Sequence, residues 1–150
     1  MSEALRAFTL EEANGLVPRL TSEFGRISEL RDQIASVARE LGGARVAAEL
    51  LEHQRLPRPE EVEPSERLRS LASEVNRTLR RVQELGCVVK DVELGLVDFH
   101  SEVQGRHVLL CWQFGEAAIG HFHGLDEGYE HRRQLRLEVG EPAVEPRWRN

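Results

Sequence analysis

The apolar residues of this chain change period at Gly86, and that change limits the fold more than any other feature of the sequence. Upstream of it they recur in steps of three and four. Downstream, apolar and polar residues alternate singly. A helix brings every third or fourth residue onto one face and a strand every second one. The chain is therefore expected to be helical up to residue 86 and to form strands from residue 87, an α+β protein whose two kinds of structure are segregated along the sequence.

Thr9, Leu10, Glu11 and Glu12 fit a capping box, in which the Thr9 hydroxyl accepts the Glu12 backbone N–H and the Glu12 carboxylate accepts that of Thr9. A helix is predicted to start there. Leu10, Ala13, Val17, Leu20, Phe24, Ile27, Ile34 and Leu41 follow in heptad-like steps, Arg31 and Ala38 occupy two seam positions, and Leu16, Leu30 and Val37 widen the stripe. Gly15 and Pro18 predict a bend at residues 14–18, because Pro18 has no N–H for the Asn14 carbonyl. Gly42 and Gly43 supply a stop. Residues 44–56 are expected to form a further amphipathic helical piece and residues 57–64, rich in proline and glutamate, an exposed loop. Ser65 is expected to cap a second long helix, where Leu68, Ala72, Val75, Leu79 and Val82 repeat the spacing as far as Gly86. Two seams of similar period predict a long antiparallel helical hairpin, coiled-coil-like, over residues 8–86. Its apolar face is wider than one hairpin can bury, so a homodimer or higher homo-oligomer through the helices is expected.

In the module of residues 87–132, Val88 and Val89 lead into two predicted strands, residues 96–100 and 107–114, joined around Gln104 and Gly105. A turn at residues 115–118 leads to a third, residues 119–123. The expectation is a small antiparallel β-sheet of about three strands. Residues 124–129 are expected to form a loop and residues 133–150, without a period, a mobile tail in which Trp148 is free to dock. At 150 residues all of this belongs to a single domain.

The composition, 31% charged and 40% hydrophobic, is that of a soluble chain. No apolar run reaches the roughly 20 residues that cross a bilayer, and the first residues lack the apolar centre of a signal peptide. No membrane association and a cytoplasmic location are therefore expected. A formal net charge of -6 argues against nucleic acid as a partner. The arginines at positions 77, 80 and 81, and at 132, 133 and 136, are interleaved with glutamates or lie near them. The two cysteines, Cys87 and Cys111, are not spaced for a four-thiolate zinc site and are expected to be small buried residues, with ligation by Cys111 the lesser alternative.

The succession F8-T-L-E-E-A-N with Pro18, G86-C-V-V-K-D, G95-L-V-D-F, L110-C-W-Q-F-G-E and H123-G-L-D-E-G-Y with Arg132 resembles a family of small bacterial proteins known as domain of unknown function 2203 (DUF2203). The resemblance covers most of residues 8–132 in order and spacing. It implies the architecture and leaves the function open. On the family pattern fall Lys90, Asp91, Asp98, Cys111, Trp112, Glu116, His123 and Gly128, whereas His100 and His121 depart from it.

If Phe122 joins Val97, Phe99, Val108, Leu110, Trp112 and Phe114 on the core face, alternation collects Asp98, His100, Cys111, His121 and His123 on the other. An H-x-H pair on one strand offers two imidazoles, and Asp98, Glu116 or Glu127 could complete a site for zinc, iron, manganese or nickel. Asp98, Glu116 and His123 form the core of that candidate site, with His121 and Glu127 as additions. Each has a plainer role beside it: Asp98 bonding a nearby backbone, Glu116 a solvated turn carboxylate, Lys90 and Asp91 a charged pair, and Trp112 a core residue. A register shifted by one residue would instead bury both histidines against Trp112. No nucleophile elbow, zincin or phosphate-loop motif occurs, so neither a reaction nor a cofactor beyond a divalent metal is indicated. Two functions follow: binding of a divalent metal or small ligand on the polar face of the β-module, with or without catalysis, or a non-catalytic scaffold that oligomerises through its hairpin.

Overall fold

The structure is a computed structural model that describes residues 6–135. The expected tail beyond residue 135, Trp148 included, lies outside the described residues. The chain divides into two compact units, one made of the residues up to Ser22 together with those from Val82 onward, the other of Glu23–Arg81. Among the described residues no helix is long and apolar enough to cross a membrane.

Helix α1, Leu10–Gly15, begins with the expected capping box: Thr9 Oγ1 accepts the Glu12 N–H at 3.0 Å, and the Glu12 carboxylate accepts that of Thr9 at 2.9 Å. It stops at Gly15, and α2, Val17–Glu40, starts after Leu16. The break falls where Gly15 and Pro18 predict a bend, because Pro18 then sits in the first turn of α2, where an N–H is not needed. Helix α2 ends before Gly42 and Gly43, whose φ angles of +101° and +129° a β-carbon disfavours.

Helix α3, Ala44–Leu51, is shorter than the expected 44–56. Helix α4, Val62–Glu84, starts three residues before Ser65, and a 3₁₀ turn at Pro59–Glu61 precedes it. Residues 57–64 are thus largely structured, and the reason is Glu61. Its carboxylate accepts the Arg58 N–H at 2.9 Å and both terminal nitrogens of Arg55 at 2.9 Å, which closes the turn that nucleates the helix. Ser65 consequently lies buried inside α4 and does not cap it.

Within the unit Glu23–Arg81, Val37, Ala38, Leu41, Ala47, Leu50 and Leu68 form one buried cluster, flanked by Ile34, Val46, Leu51 and Leu71. Ion pairs Glu23–Arg81, Arg26–Glu74 and Glu40–Arg67 connect α2 with α4 at 2.9, 2.7 and 2.9 Å. The helices meet in opposite order along the chain. Along the apolar stripes Ile27, Leu30 and Val37 are buried, Ile34, Leu71, Val75 and Leu79 are partly buried, and the exposed large apolar residues described in this unit are Leu56 and Val62.

Five strands form one antiparallel sheet in sequence order: β1 Val88–Asp91, β2 Leu96–Val103, β3 Arg106–Gln113, β4 His121–His123 and β5 Arg133–Gln134. The expectation of about three is corrected at both edges. β1 is short and irregular between Val89 and Asp91, and β5 has only two residues, so neither is long enough to display a period. Gln104 and Gly105 join β2 to β3 with φ of +51° and +77°, the two-residue turn whose twist suits a hairpin.

Val97 opposite Trp112 and Phe99 opposite Leu110 build the core face. Phe8 meets Phe99 edge to face at 5.1 Å, donates its N–H to the His100 carbonyl at 2.8 Å and accepts the Ser101 hydroxyl at 2.7 Å. The segment leading into α1 is thereby fixed on β2. Phe114 departs from the expected core face. It lies beyond the end of β3, is 39% exposed, and packs edge-on against Trp112.

Candidate metal centre

The observed register is the one that separates the histidines from Trp112. Asp98, Cys111 and His121 occupy one row across β2, β3 and β4, and His100, Leu109 and His123 the next. Both rows face away from the Trp112 side, since alternate residues point to opposite faces. The segment after β4 covers part of this surface: the Tyr129 hydroxyl donates to Gln113 Oε1 at 3.0 Å, and Arg132 Nη1 lies 3.8 Å from Cys111 Sγ. Asp98 and His123 are buried on this face, where sequence alternation alone would have them solvated, and Cys111 is buried as expected.

One carboxylate oxygen of Asp98, the Cys111 sulfur and one nitrogen of His123 all lie within 4.8 Å of one another. His123 Nδ1 is 2.9 Å from the Gly124 carbonyl, and His123 Nε2 is 3.0 Å from Asp98 Oδ2. A carbonyl only accepts, so Nδ1 carries a proton and donates it. That leaves Nε2 as the nitrogen turned toward the other two donors. At 3.0 Å from Asp98 Oδ2 it shares a proton with the carboxylate in a hydrogen bond. The hydrogen bond to Asp98 raises the His123 pKa above its usual value, with the Gly124 carbonyl and the Asp98 charge adding to it and burial opposing it.

Burial pushes the Cys111 thiol up to about 11, against a weaker lowering by Arg132. At neutral pH it is a thiol and a poor nucleophile. The histidine offers it no base, because both imidazole nitrogens already face oxygen. A bound cation would change this balance, taking the place of the proton on Nε2 and favouring the thiolate form of Cys111. Donor atoms around a tetrahedral ion lie about 3.3–3.6 Å apart, so the 3.0 Å between His123 Nε2 and Asp98 Oδ2 would open slightly, and any separation near 4.8 Å would close by on the order of 1 Å. The bond from Nδ1 to a backbone carbonyl is the support that metal-binding imidazoles commonly have.

The other candidates divide. Glu116 and His121 lie side by side, Oε2 3.5 Å from Nδ1, and Glu116 also pairs with Arg132 at 3.3 Å and accepts the Gln113 N–H at 2.7 Å. They flank Cys111 at the partly exposed margin of the cluster. The His121 pKa is lowered, by burial and then by the Arg132 charge, with Glu116 opposing. Glu127 stands apart, accepting the Gly124 N–H at 3.0 Å and pairing with Arg133 at 2.8 Å. Its carboxylate is held below the usual range, first by that N–H and further by Arg133. Two participants were hard to see in the sequence. Cys111 was placed on the polar face with ligation as its lesser role, although its place opposite Asp98 follows from the two-residue turn. Arg132 lies 21 residues beyond Cys111, and no local pattern links them.

The model of the DUF2203 family, described as an uncharacterized conserved protein, matches residues 6–135. The chain belongs to the DUF2203 family. The matched region of this DUF2203 chain contains every described helix and strand, and with them Asp98, Cys111 and His123. No curated protein and no solved structure matches it.

Proposed function

We propose that this DUF2203 protein binds a divalent metal ion through Asp98, Cys111 and His123. One observation carries the proposal: three side chains with three different donor atoms converge within 4.8 Å inside the protein, and the imidazole is already oriented by a backbone carbonyl. A thiolate, an imidazole and a carboxylate together suit a borderline cation, zinc first and ferrous iron or nickel next, and suit manganese poorly. A fourth position is left for water or another ligand on the side of Glu116 and His121. The helices take the role of scaffold, and we take α2 and α4 as an antiparallel hairpin, supported by the reversed order of their ion pairs.

The test is metal analysis of tag-free protein, followed by loading of the stripped protein with Co²⁺. One equivalent of metal and a sulfur-to-cobalt charge-transfer band are expected, with the band lost in Cys111→Ser and the metal lost in His123→Ala. Substoichiometric metal that neither substitution changes would refute the proposal.

A further inference from the structure

A second pair of imidazoles lies on the same face of the sheet, at the turn end of the β2–β3 hairpin. His100 Nδ1 and His107 Nε2 are 2.8 Å apart and the ring centroids 4.9 Å apart. One of these two nitrogens must be a bare lone pair for the contact to be a hydrogen bond, so the pair shares a single proton at this point. Both rings reach solvent, His107 being exposed and His100 half-buried. Glu102 is directly opposite His107 in the ladder and two residues from His100, on the same face, and it too is exposed. Directly opposed residues have β-carbons about 5 Å apart, close enough for a glutamate to share a ligand with its neighbour.

We propose that His100 and His107, with Glu102 as third donor, form a second, solvent-facing site for a late first-row divalent cation. Two imidazole nitrogens on a tetrahedral ion with bonds of about 2.0 Å stand roughly 3.3 Å apart. The observed 2.8 Å becomes that separation by a small tilt of either ring once an ion replaces the shared proton. The backbone requires no change, because the strand register already sets the two β-carbons. Two nitrogens and one carboxylate favour copper, nickel and zinc, with copper tightest, and give no hold on magnesium or calcium, which prefer oxygen donors. This site shares no donor with Asp98, Cys111 and His123. It stands whether or not that centre takes metal.

Tag-free, metal-stripped full-length protein is titrated with Zn²⁺ by calorimetry in the wild type, His107→Ala, Glu102→Ala and Cys111→Ser. His107→Ala is expected to lose one equivalent or to weaken it at least tenfold, and Glu102→Ala to weaken the same equivalent severalfold. Cys111→Ser is expected to leave that equivalent intact, which separates it from the buried centre. A wild type that binds one equivalent, lost in His107→Ala and retained in Cys111→Ser, supports the outer site and removes the inner one. Zinc binding that is the same in His107→Ala and Glu102→Ala as in the wild type overturns the proposal. Far-ultraviolet circular dichroism of both variants, whose altered residues are exposed, confirms that each is folded.

Discussion

His123 Nε2 lies 3.0 Å from Asp98 Oδ2, and each side chain is only 2% exposed. In the metal-free protein this is a hydrogen-bonded carboxylate–imidazole pair taken out of water, and its desolvation offsets much of its attraction. Its presence in the sheet is thus poor evidence for a role in stability alone. The same two groups, with the proton on Nε2 exchanged for a cation, would become two ligands.

Removing one partner leaves the other charge buried and alone. Asp98→Asn in the metal-free protein is expected to lower unfolding stability by about 3–5 kcal/mol. The double variant Asp98→Asn/His123→Gln should lose clearly less than the sum of the single variants, since neither charge then remains unpaired. Urea unfolding of the four proteins measures this. Additive losses would show that the two side chains are not coupled.

Gly95 and Gly105 both have positive φ, +68° and +77°, yet differ in surroundings. A β-carbon on Gly95 would stand 2.5 Å from the Phe114 β-carbon, whereas one on Gly105 meets nothing within 4 Å. Gly105→Ala is expected to cost about 1 kcal/mol from the backbone alone. Gly95→Ala adds overpacking of about 1–3 kcal/mol, because the obstructing atom is fixed to the main chain of residue 114. Equal loss in the two variants, measured by thermal unfolding, would rule out the Phe114 contact as the cause.

The same contrast explains what was legible in the sequence. The capping box, the bend at Pro18, the stop at Gly42 and the hairpin at Gln104 and Gly105 are local instructions that involve neighbouring residues only. Each is found where the residue pattern puts it. The row shared by Asp98 and Cys111 was legible for the same reason, since alternation and one two-residue turn set β2 against β3, whereas the facing of His121 and His123 stayed open until the β3–β4 register was known. What escaped depends on distant parts of the chain. Strand β5 exists because its backbone completes β4, Phe114 leaves the core because β3 ends one residue earlier, and Cys111 is covered by Arg132, which returns to it from 21 residues away.

Glu61 makes the acid limb of stability testable. The paired Arg55 guanidinium, then the Arg58 N–H, hold its carboxyl at about 2, below the usual range near 4.5. A lowered folded-state value contributes stability that is complete above the unfolded value and is lost as pH falls toward the folded one. The melting temperature of the wild type should exceed that of Glu61→Gln most above about pH 5, and the gap should close as pH falls toward 2. A gap that is constant from pH 6 to pH 2 would mean that the Glu61 charge contributes nothing.

Glu127 was grouped with the ligands from sequence, and its hydrogen bonds point to a positioning part that can be tested against that one. Its carboxylate accepts the Gly124 N–H, and the Gly124 carbonyl accepts the His123 Nδ1 proton, so it holds the residue that aims the imidazole. Losing such a support typically weakens metal binding about 10- to 100-fold without removing a ligand. Glu127→Ala is therefore expected to keep one equivalent in the buried centre at about tenfold lower affinity. Glu127→Gln, which still accepts the N–H, should restore most of it. Gly124→Ala should resemble Glu127→Ala, since its β-carbon would stand 2.9 Å from Glu127 Oε1 and displace the carboxylate. A competitive chelator titration reads both stoichiometry and affinity. Loss of the equivalent in Glu127→Ala would make Glu127 a ligand, and unchanged affinity would leave the carboxylate no part in orienting His123.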